Sequence, residues 1–169
     1  MGPVPFLDPS GLTDATGTLG PAKEKRIHKA REAFHQHFPQ CQLYVVIKTF
    51  RDDVPLELAL FWIFNLAGLS PAEKKAGKNH DLLLVVDSQR MLTGLTMGYG
   101  LEAFINSQDI DRNLACAAPQ LAAGDLTAGI VTIIEGLSEL FATTCRRLPV
   151  AAGLPSARSS TPALATADY

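Results

Sequence analysis

"DLLLVVDSQRMLTGLTM", residues 81–97, decides the fold. Asp81 to Asp87 has an unbroken apolar centre, the pattern of an inner strand covered on both faces. Ser88-Gln89 makes a short turn into a further strand from Arg90 to Met97, so the two runs predict an antiparallel hairpin. Gly98-Tyr99-Gly100 ends it, and the lone Glu102 follows.

Upstream, "QLYVVIKTF" (residues 42–50) is rich in β-branched and aromatic residues and reads as another strand, closed by Arg51-Asp52-Asp53. The helix predicted from Pro55 to Leu66, "LELALFWIFNL" from Leu56 on, is apolar nearly all round, so it is deeply buried or lies against a partner. Phe61, Trp62, Ile63 and Phe64 span a full turn and cannot all face one core. Phe61, Trp62 and Phe64 are therefore the candidate interaction residues.

Gly20-Pro21 opens a first helix, with Pro21 suited to its first turn. Ile27, Ala30, Phe34 and Phe38 make its apolar stripe, and Pro39 ends it. Its outer lysines and arginines, mixed with Glu24 and Glu32, read as a solvated face. Ser70 to His80 is a polar loop. Helices are predicted from Ser107 to Ala118 and from Asp125 to Arg147. The second carries the stripe Ile130, Ile133, Ile134, Leu137, Leu140 and Phe141. Asp125 is its natural N-cap, and Arg146 and Arg147 suit its negative end.

Residues 1–20 read as an extended opening segment and residues 149–169, rich in Ala, Ser, Thr and Pro, as a flexible tail. The expectation is one domain over residues 1–148 in the α/β class, a small mixed sheet of three strands or slightly more layered between helices.

The totals exclude several classes. The 169 residues suffice for one well-buried core, and 47% hydrophobic with 19% charged residues is ordinary for a globular protein. A net charge of -2 argues against a nucleic-acid protein. Cys41, Cys116 and Cys145 lie far apart without CxxC pairing and read as buried free thiols. The first ten residues lack a secretory pattern, and the longest apolar run, Leu58 to Phe64, is too short for a membrane helix. The chain as given reads as soluble, with any membrane contact made through an anchor outside it. There is no GxxxxGK[ST], no complete dinucleotide fingerprint and no GxSxG. The four histidines lack metal-ligand spacing with acids or cysteines.

Carboxylates remain. If the helix after the first strand is a right-handed crossover, the strands it joins are parallel. Asp52, Asp53, Asp87 and Arg90 then share one sheet edge. Lys78, Asn79, His80, Asp81, Tyr99 and Glu102 share the other, because the hairpin reverses direction. Both groups read as solvated loop charge.

The stretch "NHDLLLVVDSQRMLTGLTMGYGLEAF", with "APQLAAGDLTAGI" downstream, resembles the TPM domain family, named for thylakoid-lumen phosphatase-like, photosystem II repair and receptor-modulator proteins. The likeness rests on Leu82 to Val86, Arg90, Gly98 to Glu102, Pro119 and Gly124 to Gly129, with Asp8, Gly11 and Leu12 at the opening. It covers roughly residues 6–145. It implies a three-layer α/β/α sandwich on an exported or membrane-tethered protein. Some members are described as acid phosphatases and some bind calcium through acidic residues.

This chain departs from the family pattern. Lys78-Asn79-His80 stands where the family commonly has Asp-Asn-Gly, and "NLAGLS" replaces its Trp-Gly-x-Gly. Two functions follow. One is a phosphate-ester hydrolase using Asp8, Glu102 and Asp125 around a divalent cation such as calcium. The other, favoured because an ammonium replaces a carboxylate ligand, is a non-catalytic interaction domain without metal, docking on a protein partner or on itself. In the favoured reading the Gly98-Tyr99-Gly100 connection is structural, its glycines permitting unusual backbone angles and Tyr99 packing its ring over the sheet edge.

Overall fold

The computed structural model describes residues 7–66 and 79–147. The predicted tail, the loop centre and Lys78 lie outside the described residues. Within them the order is β1 (Leu12–Asp14), α1 (Pro21–His37), β2 (Leu43–Lys48), α2 (Leu56–Leu66), β3 (Leu82–Asp87), β4 (Leu92–Met97), α3 (Tyr99–Glu102), α4 (Ser107–Cys116), α5 (Ala118–Ala122) and α6 (Leu126–Arg147).

The strands form one mixed sheet in the order β1-β2-β3-β4, parallel through the first three and antiparallel between β3 and β4. The registers Leu43↔Leu82 and Leu82↔Met97 put the starts of β2 and β3 and the end of β4 on one edge. All six residues of β3 are buried, as expected of a strand covered on both faces.

Alternation along the strands separates two cores. Leu43, Val45, Ile47, Leu82, Leu84 and Val86 face α1, α4, α5 and α6. Val46, Leu83 and Val85 face Leu56, Leu60 and Ile63 of α2, the only helix on that side among the described residues. The result is an α/β/α sandwich with one thick and one thin helical layer. The strand order advances in one direction while α1 and α2 cross on opposite faces, so the two crossovers have opposite hands.

The observed elements correct several expectations. The opening segment contributes β1, held by Val45 N–H donating to the Gly11 carbonyl and Ala15 N–H to that of Ile47. Arg90 and Met91 belong to the hairpin turn, and the helix expected from Ser107 breaks at Cys116 into α4 and α5. Of the cysteines only Cys41 is buried, whereas Cys116 and Cys145 are exposed because they fall on outward positions of α4 and α6.

Candidate functional site

The sheet edge that carries the Gly98-Tyr99-Gly100 connection is assembled by the backbone. Gly98 N–H donates to the Asp81 carbonyl at 2.8 Å and Gly100 N–H to that of Asn79 at 3.0 Å. The end of β4 therefore lies directly on the residues leading into β3, joining the sequence-predicted group Asn79, His80, Asp81, Tyr99 and Glu102. The glycines serve close approach rather than unusual angles. Gly98 has an ordinary extended φ of -72°, and neither it nor Gly100 is among the positive-φ residues. A Cβ on Gly98 would collide with the Asn79 carbonyl oxygen, and one on Gly100 would lie 2.8 Å from that same atom.

Two further expectations at this edge are corrected. Tyr99 does not cover the sheet: it is 74% exposed, because α3 turns its side chain outward. Asp81 is fully buried rather than a solvated loop charge, its N–H held by the Asn79 side-chain oxygen at 3.0 Å. Glu102 ends α3, is exposed, and lines an open groove of about 380 Å³ with Thr96, Ser107 and Asp111.

The other candidate acids stand elsewhere. Asp8 precedes β1 at the far lateral end of the sheet, three strand spacings from β4 and so about 14 Å away. There it caps a turn by accepting from Ser10 N–H at 2.7 Å. The Ser10 hydroxyl and N–H, with His28 nearby, hold its carboxyl below the usual range. Asp125 caps α6 by accepting from Ala128 N–H at 2.9 Å. Each of these two carboxylates serves a local turn. Among the described residues no three side chains of His, Cys, Asp and Glu converge as metal ligands, so Asp8, Glu102 and Asp125 do not fit a divalent cation together.

The opposite edge holds a half-buried ion pair. Asp87 is fully buried and accepts from Arg90 Nε at 2.6 Å, and Arg90 also donates to the Val54 carbonyl. The pair ties the hairpin turn to the segment entering α2. Asp52 and Asp53 remain exposed, with Asp53 paired to Arg51 at the surface. Arg31, on the face expected to be solvated, instead donates to the carbonyls of Leu43 and Ser10 and joins α1 to β2 and to the turn before β1.

The second candidate surface is α2. Leu56, Ala59, Leu60 and Ile63 are buried against the sheet, and Gly94 of β4 lets Leu60 settle onto the strand, since a Cβ there would overlap it. The opposite stripe is apolar too. Leu58 is 44%, Phe61 59%, Trp62 37% and Leu66 59% exposed. Spacings of three and four place Leu58, Phe61, Trp62 and Leu66 along one outward side. Phe61 and Trp62 meet edge to face with ring centroids 5.9 Å apart. Phe64, the third candidate interaction residue, is half-buried at the margin of the inner core.

Comparison with known proteins gives this architecture relatives. The family model described as TPM domain matches residues 12–140. The N-terminal domain of a protein from P. gingivalis superposes with a TM-score of 0.67 at 22% identity, covering 80% of this chain and 83% of that one. The N-terminal domain of the cg2496 protein of Corynebacterium glutamicum gives 0.60 at 16% identity, with 82% and 84% covered. The BA42 protein of Bizionia argentinensis gives 0.60 at 14% identity, with 77% and 86% covered. No curated protein matches the sequence significantly.

Proposed function

The chain belongs to the TPM domain family, and from that premise we propose that it is a non-catalytic interaction domain that docks on a protein partner through the outer face of α2. The observation that carries the proposal is the double-sided apolar character of that helix. One stripe completes the core, while Leu58, Phe61, Trp62 and Leu66 present a second stripe to solvent. Aromatic residues in such a patch, tryptophan above all, are the side chains that dominate binding energies at protein interfaces.

The hydrolase reading finds less support. Its three acids are separated, two by local capping roles, and no ligand cluster forms among the described residues. Membership of an exported or membrane-tethered protein is part of the same proposal. It rests on the family resemblance, and two of the similar solved structures are N-terminal domains.

A photo-reactive amino acid placed at Phe61, with Gln36 on α1 as the control position, tests the docking face in the native cell. A discrete cross-linked protein at position 61, absent at position 36 and lost with Trp62→Ser, is the expected result. A second copy of the chain as that protein identifies self-association. Equal or no cross-linking at both positions overturns the proposal, as does cross-linking to lipid alone. Added millimolar calcium is expected to leave the melting temperature unmoved, and a rise that Glu102→Gln abolishes restores the metal reading.

A further inference from the structure

We propose that Cys41 and Cys145 are a reversible dithiol–disulfide pair, oxidised by small-molecule disulfides. Although 104 positions separate them in the chain, both line one pocket of about 190 Å³, together with His80, Phe104 and Phe141. The packing beneath sets their approach. Phe141 of α6 meets Phe38 edge to face with ring centroids 5.4 Å apart. Cys145 stands one helical turn beyond Phe141 on the same side of α6. Cys41 stands one turn beyond Phe38, its N–H donating to the Phe38 carbonyl at 2.9 Å. The two segments thus step from a shared aromatic contact into the same pocket.

The roles of the two thiols differ. Burial raises the Cys41 thiol to about 11, with Cys145 and then Asp81 as neighbours adding to the rise. Cys41 is therefore a poor first attacker, whereas Cys145 is exposed and open to reagents. Cys145 Sγ, as thiolate, attacks one sulfur of the small disulfide, forming a mixed disulfide and expelling one small thiolate. Cys41 then gives up its proton and attacks Cys145 Sγ. The protein disulfide forms, the bond to the small thiol breaks, and a second small thiolate leaves. Two protein thiols are oxidised and one small disulfide is reduced. The link fastens the last turn of α6 to the start of β2 and closes a very long loop, the case in which a cross-link restricts the unfolded chain most.

The test treats the reduced full chain with oxidised glutathione in mildly alkaline buffer, then blocks remaining thiols and maps peptides without reduction. The expected product joins the Cys41 and Cys145 peptides, lighter by two hydrogens, while exposed Cys116 carries only glutathione. The oxidised protein melts several degrees above the reduced one. Cys145→Ser, a change at an exposed site, removes both the link and the shift. The proposal is overturned if Cys145 stops at a stable glutathione adduct with Cys41 free, or if Cys145 pairs with Cys116.

Discussion

Among the described residues, α2 and α6 are both strongly apolar helices, and they end in different situations. α6 is long and apolar enough, by length and composition alone, to cross a membrane. Its stripe of Ile130, Ile133, Ile134, Leu137 and Phe141 is instead buried against the sheet and α1, and its other side is polar enough for solvent. α2 has 11 residues, and among the described residues its inner stripe is the one helical cover on the thin side of the sandwich. Its outer stripe is equally apolar and contributes nothing to either core. An apolar side chain explains itself when it fills a core. Where it faces solvent in a cluster, the fold does not account for it, and the docking proposed above supplies a reason.

The comparison makes graded predictions, which urea or thermal unfolding checks. Ile133→Ala in α6 removes a fully buried side chain from the thick core and should cost about 2–5 kcal/mol. Ile63→Ala, on the inner stripe of α2, should fall in the lower half of that range, about 2–3 kcal/mol, because a single helix over the sheet relaxes more easily. A larger loss there than at Ile133 would reverse the ranking of the two layers.

Asp14 sharpens the thick side further, since it organises the turn that leads into α1. Burial works to raise its carboxyl, but bonds from the Thr16 hydroxyl and from the N–H groups of Leu19, Thr16 and Gly17 outweigh it and hold the value below 3.8. A lowered folded value means that the stabilisation is complete above the ordinary carboxylate range and is lost as pH falls through the folded value. Asp14→Asn should therefore cost about 1 kcal/mol at neutral pH, and the gap to the parent should close in acid. A gap independent of pH would contradict this. The smallest effect is expected at Phe61→Ser, within about 0.5 kcal/mol of the parent.

Much of this contrast was legible in the residues. The unbroken run Leu82 to Val86 announced a doubly covered strand, and four large apolar residues in one turn of α2 required a second apolar face. β1 was not legible. Three residues are too few for alternation to register, and the strand exists because Val45 and Ile47 pair with it. The burial of Asp81 was equally hidden, since a carboxylate at a strand boundary reads as solvated until the β4–α3 connection folds over it. In the same way, Gly98 and Gly100 looked like residues chosen for their angles, and only the position of the Asn79 carbonyl reveals that space is what they provide.

The central claim is that the outer face of α2 stays uncovered in the single chain. Trp62 is the only tryptophan in the sequence, so its fluorescence reports that face alone. The most direct measurement is acrylamide quenching of Trp62 in the dilute full chain, with sedimentation confirming a monomer. The account predicts water-exposed emission and efficient quenching. A blue-shifted emission that acrylamide cannot reach, in a strict monomer, would mean that the chain already covers this face itself and would contradict the account.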